Sequence, residues 1–366
     1  MIFAGAEHIV SPLGNSAEEN FAAIIAGKSG IRKIPCRAGG KEPELFNVAA
    51  VRNFGDFPLA QELKKSVTAS LEKVDESSLI SGKTLFLLST TKGEITELVK
   101  PGVVQAKLDV LRNKVIRDLH WFHSSAVISN ACISGLEALI VGHDLIQTGN
   151  FDHVVVAGGD MLSEFTLSGF KSFFAISPEP CKPFDKNRAG INLGEGVGTI
   201  ILSRNEEIFA SKPIVFCGGA TANDANHISG PSRTGEGLYR AISRALTTCS
   251  VRREEIDFFS SHGTGTSYND EMESIAFARC GMSEIPMNGL KGYFGHTLGA
   301  AGIIEAAVCM QSLRNQELIA STGFEEAGTS KPLNVLLSHR KTPFKVLMKT
   351  ASGFGGSNAA AIFRTE

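Results

Sequence analysis

Short apolar runs bounded by glycine, proline or charge recur along this chain. Their length predicts buried strands at Thr84–Ser89, 154–157, 198–202, 214–217, 256–260 and 345–348. Two segments carry the 3.6-residue period of a helix instead. Over Ser134–Gln147 the apolar positions are Leu136, Leu139, Ile140 and Ile146, and 235–248 is patterned alike. Strands alternating with helices predict a layered α/β fold whose sheets are covered on both faces. The C-terminal stretch KVLMKTASGFGGSNAAAIFRTE breaks the alternation and reads as two strands joined by a glycine-rich turn. No run of linker composition appears. The charged stretch SRNEEIFASKP marks the best seam, dividing 1–205 from 206–366, and no clear sequence repeat relates the two parts.

Composition narrows the function more than the fold. Lysine and arginine number 36 against 38 acidic residues, a net charge of −2, which argues against a protein held on nucleic-acid phosphates. The 38 glycines cluster in short motifs and so mark tight turns and close backbone approaches. Seven cysteines (Cys36, Cys132, Cys181, Cys217, Cys249, Cys280, Cys309) form no CxxC pair, and their number is odd. That pattern suits neither a disulfide framework nor a zinc site. The opening MIFAGAEHIVSPLGN shows no basic leader, and no apolar run is long enough to span a bilayer. A reducing, cytoplasmic setting without membrane contact is expected.

Candidate chemistry concentrates at three places. VISNACISGLEALIVGHDLI joins an apolar strand to an amphipathic helix, with Cys132 at the junction. A thiol at a helix N-terminus faces unpaired N–H groups and the positive end of the dipole, which favour thiolate and could hold an oxyanion. The same segment also fits a small buried apolar cysteine. His262 opens HGTGTSYND after the strand IDFFSS, and His296 lies in LKGYFGHTLGAAG before a helix rich in small residues. Each sits where a strand yields to a turn, the usual place for a side chain projected into a site. Glu273, on a helix expected to be capped by Asn269 or Asp270, and Lys291 are charged residues able to pair beside them. The other histidines (His8, His120, His123, His143, His153, His227, His339) lack such frames.

Together these segments resemble the β-ketoacyl-ACP synthases of the elongating type. The matching stretches run in order: SPLGN at 11–15, NACISG around Cys132, VVVAGGD at 154–160, CKPFDKNRAGINLGEGVG at 181–198, NDANHISGPSRTGEG, HGTGTSYND, KGYFGHTLGAAG and GFGGSN at 353–358. The resemblance implies a thiolase-like fold: two βαβαβ halves related by a pseudo-twofold, in five alternating layers. It further implies Cys132 as acyl acceptor, His262 and His296 at the developing enolate, and an oxyanion hole from the N–H groups of Cys132 and Phe354. Phe354 corresponds to a gating phenylalanine, Thr264 and Thr266 to threonines holding the pantetheine arm, and Lys291 with Glu273 to the family's charged pair. No metal and no bound cofactor are implied, because the substrates ride on the phosphopantetheine of an acyl carrier protein. The chain is expected to dimerise, with itself or with a related synthase subunit.

The resemblance has departures. Asn130, Ala131, Cys132, Ile133, Ser134 stands where the family commonly has T-A-C-S-S. Tyr293 and Phe294 precede Gly-His, Thr350, Ala351 and Ser352 precede GFGG, and the stretch before Cys132 is short. These changes predict a substrate other than the saturated chains of ordinary fatty-acid elongation, such as a short, aromatic or polyene-like acyl group. Lys64, Lys65, Arg112, Lys114 and Arg117 are candidates for a basic carrier-landing patch. The competing reading is a chain-length-determining partner subunit with little activity of its own. A degradative thiolase would lack the PFD…GEG and GHTLGAAG frames.

Overall fold

A computed structural model describes residues 1–40, 42–99, 106–119, 122–224, 226–228 and 230–365. His120 lies outside them. The strands are β1 (Phe3–Val10), β2 (Arg32–Cys36), β3 (Glu44–Val48), β4 (Thr84–Ser89), β5 (Ser124–Ile128), β6 (His153–Asp160) and β7 (Gly196–Ser203). They continue with β8 (Ile214–Asn223), β9 (Phe258–Ser261), β10 (Met287–Gly289), β11 (Glu317–Leu318), β12 (Arg340–Lys341), β13 (Val346–Gly353) and β14 (Ser357–Arg364). All six apolar runs singled out in the sequence fall in or overlap strands, and the glycine-rich C-terminal turn joins β13 to β14 as an antiparallel pair.

Ten strands form one sheet in the order β10-β9-β13-β14-β8-β1-β7-β6-β4-β5. Its two sides are β1, β4, β5, β6, β7 and β8, β9, β10, β13, β14. From the middle outward, each side runs first, fifth, fourth, second, third in its own chain order. The second half of the sheet therefore repeats the topology of the first. Two residue pairs, Phe3 with Val215 and Ala4 with Ile214, join β1 to β8.

Two helices, Ser134–Gln147 and Ala301–Asn315, pack on each other between the half-sheets. Leu59–Leu71 covers the far side of β1, β6 and β7, and Glu236–Thr248 covers β8 and β14. The result is the expected five-layer α/β arrangement. Ala301–Asn315 is buried from Ala301 through Leu313, the mark of a helix apolar on every side. Its approach to the other central helix depends on glycine. A Cβ on Gly302 would stand 2.2 Å from the Leu136 nitrogen, and one on Gly135 would stand 2.8 Å from the Ile303 nitrogen. The small residues of GHTLGAAG thus let the helices behind Cys132 and His296 meet backbone to backbone.

Among the elements that escaped the sequence pattern, three are informative. The antiparallel β2–β3 hairpin lies outside the main sheet, and Leu59–Leu71 mixes its apolar positions with lysine and glutamate. The third, β1, is central and fully buried, yet FAGAEHIV contains Glu7 and His8. Both polar residues are satisfied by partners far along the chain: Glu7 by Arg314 and Gln311, His8 by Ser66.

Candidate active site

Cys132 stands in a tight elbow after β5. The residue before it, Ala131, has φ +44°, a left-handed conformation that costs an L-residue roughly 1–2 kcal/mol. Ser134 holds the bend, accepting the Asn130 N–H at 2.8 Å and donating to the Ala131 carbonyl at 2.6 Å. The helix begins at Ser134, so the thiol sits just ahead of its N-terminus. The Phe354 N–H, from the turn between β13 and β14, is directed at the thiol.

His262 follows the end of β9, in a loop clamped by two carboxylates from one face of the helix Ser267–Arg279. Glu273 accepts the N–H groups of His262 at 2.9 Å and Gly263 at 2.7 Å. Asp270 accepts those of Thr264 at 2.9 Å, Gly265 at 3.1 Å and Phe184 at 2.7 Å. The helix cap is Thr266, whose hydroxyl accepts the Asn269 N–H. Asn269 and Asp270, the expected caps, lie inside the first turn, where Asp270 serves the loop instead. His296 is placed by its own backbone: its N–H donates to the Asn192 carbonyl at 2.7 Å, and its carbonyl accepts the Gly194 N–H at 3.0 Å.

These elements bring three side chains together. The Cys132 sulfur and one ring nitrogen from each of His262 and His296 lie within 4.8 Å of one another, all buried. The imidazoles meet edge to face, with centroids 5.2 Å apart. Neither ring nitrogen of His296 has a hydrogen-bond partner. Such buried orphans cost about 1–3 kcal/mol, a cost that a ligand oxygen in the cavity would relieve.

Lys291 does not pair with Glu273. Its ammonium meets Glu305 at 2.8 Å and the His262 carbonyl at 2.7 Å. Lys349 reaches the other oxygen of Glu305 at 2.7 Å, giving a buried triad of two cations on one anion. Glu273 is instead pushed up to about 7, chiefly by burial and then by Asp270. Neither Glu305 nor Lys349 was singled out from the sequence, although each carried a signal. One glutamate stands in the apolar helix AGIIEAAVCM, and one lysine in the strand VLMKTAS, where an unpaired charge would not be tolerated.

The triad sets the electrostatics. Burial, then the Lys291 ammonium, holds both His262 and His296 well below the usual histidine range, so both rings are neutral near pH 7. For Cys132 the helix-end argument predicted a lowered pKa, and the structure reverses it. Burial pushes the thiol up, and Lys291, Lys92 and the Phe354 N–H offset this only in part. Desolvation of a thiolate outweighs the dipole when water is excluded.

The three side chains open on a cavity of about 750 Å³, which Phe170, Phe354, Thr264 and Thr266 also line. Phe170 stacks on Phe354 at 5.6 Å. The Thr264 and Thr266 hydroxyls are hydrogen-bonded to each other at 2.9 Å. Ser352 reaches the cavity wall, whereas Tyr293 and Phe294 do not: both are core residues, and Tyr293 bonds the Ala320 carbonyl at 3.0 Å. Of the basic candidates, Lys64 pairs with Asp118, Lys65 with Glu62 and Lys114 with Glu94. None of them, nor Arg112 or Arg117, lines this cavity.

Comparison with known proteins points one way. The family model described as "Beta-ketoacyl synthase, N-terminal domain" matches residues 103–208, and "Beta-ketoacyl synthase, C-terminal domain" matches 214–325. The chain is 33% identical to 3-oxoacyl-[acyl-carrier-protein] synthase 2 of Rhizobium meliloti over 65% of its length and 60% of that protein. It is 25% identical to the synthase of the same name from Vibrio cholerae, over 97% of each chain. Among solved structures, a chain of the complex of a ketosynthase with its chain length factor from Xenorhabdus doucetiae superposes with a TM-score of 0.87 at 25% identity, covering 100% of this chain and 98% of that one.

Proposed function

The chain belongs to the β-ketoacyl synthase family, and on that premise we propose that it condenses an acyl group held on Cys132 with malonyl carried by an acyl carrier protein. The products are CO2 and a 3-oxoacyl-carrier two carbons longer. One observation carries the reading: a buried thiol, two neutral imidazoles and a backbone N–H converge on one cavity, beside a triad of net positive charge.

In the first half-reaction the Cys132 sulfur attacks the carbonyl of the incoming acyl thioester, and the released pantetheine thiol carries away the thiol proton. The N–H groups of Cys132 and Phe354 hold the oxyanion. Splitting the reaction through an acyl-enzyme replaces one hard step with two easier ones. In the second half-reaction malonyl loses CO2, and the enolate carbon attacks the acyl-cysteine, returning the thiolate. Neutral His262 and His296 can each donate one N–H to the enolate oxygen, and the ammonium groups of Lys291 and Lys349 stabilise its charge from behind. Thr264 and Thr266 hold the pantetheine arm. The scheme calls for no metal or separate cofactor, since loss of CO2 drives bond formation.

The carrier is the expected partner, as the names of both 3-oxoacyl-[acyl-carrier-protein] synthases suggest by analogy. Dimerisation, with a second copy or a related subunit, is supported by β5. This strand ends the sheet, and its residues are exposed or half-buried, an edge that proteins normally cover. Among the described residues no helix is long and apolar enough to cross a membrane.

Intact-protein mass after incubation with a panel of acyl-carrier proteins tests the reading. A gain of one acyl group in the wild type, absent in Cys132→Ala, is expected. No gain with any chain would overturn it in favour of the chain-length-determining subunit.

A further inference from the structure

The helix Glu164–Ser172 ends in a complete C-terminal cap. The Ala175 N–H reaches the Phe170 carbonyl at 3.2 Å, and the Phe174 N–H reaches Lys171 at 3.0 Å, the pairing of a Schellman motif. The residue after the cap must then adopt a left-handed conformation, which is why glycine or asparagine usually fills it. Here it is Phe174, at φ +55°.

That choice is unfavourable twice over. A bulky residue in this region is a backbone outlier, and Phe174 is 95% exposed, so no packing within the chain offsets the strain. Phe174 lines the mouth of the Cys132 cavity, as do Phe173, 53% exposed, and Tyr268, 81% exposed. Arg233, also exposed, adds a cation to the same rim. Phe173 touches Phe354 edge to face at 5.5 Å, so the rim is continuous with the aromatic wall leading to the thiol.

We propose that Phe174, supported by Phe173 and Tyr268, is the apolar anchor on which the acyl carrier protein docks, with Arg233 meeting its acidic surface. The proposal rests on the reading that substrates arrive on such a carrier. A partner covering the ring ends its exposure and offsets the cost of the strain, and aromatic anchors dominate the energetics of interfaces. The mouth is where the occupant must sit, because Cys132 is buried and the carrier's arm has to enter this cavity. The basic candidates Lys64, Lys65 and Lys114, by contrast, are engaged with acids on their own surface and lie away from this mouth.

Phe174→Gly separates docking from chemistry, because glycine suits the cap and leaves the fold intact. Wild type and variant are each given hexanoyl-acyl carrier protein and hexanoyl-N-acetylcysteamine, and Cys132 acylation is followed by intact mass at subsaturating donor. The expected result is a loss of about fivefold or more with the carrier, less than twofold change with the small thioester, and a Tm unchanged or raised. A smaller loss with the carrier, or an equal loss with both donors, overturns the proposal. A changed native mass would assign Phe174 to a subunit contact and overturn it as well. Wild type left unacylated by both kinds of donor across the whole panel of acyl groups, and not with hexanoyl alone, would sink the condensing reading itself, and this inference with it.

Discussion

Replacing Glu305 by glutamine should be among the most damaging isosteric changes in the molecule. Its two oxygens meet the Lys291 and Lys349 ammonium groups at 2.8 and 2.7 Å, and all three side chains are at most 3% exposed. At an effective dielectric near 20, each contact is worth about 6 kcal/mol of gross Coulomb attraction. Desolvation of the ions offsets much of that. Removing one partner of a buried pair nevertheless costs about 3–5 kcal/mol, because the survivor remains charged and dry. Here one substitution strands two cations, so a loss of about 5 kcal/mol is expected, out of a typical total of about 5–15 kcal/mol. Lys349→Met should cost less, since Glu305 keeps Lys291. In a double-mutant cycle the two changes should fall short of additivity by about 2 kcal/mol or more. Equilibrium urea unfolding reads these values. Glu305→Gln within about 1 kcal/mol of wild type, or an additive cycle, would refute the claim that this carboxylate neutralises the site's cations. The variant that still folds has a second signature. With the Lys291 field unopposed, the Cys132 pKa drops and alkylation at pH 8 accelerates.

Two further outcomes follow from the same geometry. Because burial raises the Cys132 thiol above its ordinary value, little of it is ionised at neutral pH, and iodoacetamide alkylation should keep climbing through pH 9. A plateau below pH 8 would show a thiolate already formed and contradict the desolvation argument. Gly302→Ala inserts a Cβ 2.2 Å from the Leu136 nitrogen. It should cost more than the about 1–3 kcal/mol usual for overpacking, since backbone cannot swing aside, and soluble yield with urea unfolding would register it. A variant as stable as wild type would mean that the central helices can separate freely.

What could be read from the chain is what depends on neighbours in sequence. Strands such as Thr84–Ser89 and the helix Ser134–Gln147 follow from apolar periodicity, which reports how one element buries its own face. The elbow at Cys132 and the turns bearing His262 and His296 are short motifs whose backbone demands are local, and their order along the chain was enough to identify the family. The conditions inside the site are a different matter. A local dipole argues for a reactive thiolate at Cys132, and only the assembled layers, by excluding water, reverse that direction. Glu305 lies 14 residues from Lys291 and 44 from Lys349, on separate elements; its apolar helix says that it needs a partner, and nothing local says which cations supply it. Likewise β1, with Glu7 and His8, reads as polar until Arg314, Gln311 and Ser66 are brought to it. Periodicity and turn chemistry are short-range, whereas desolvation and charge pairing are summed over everything within a few ångströms in space, and only the fold decides what that is.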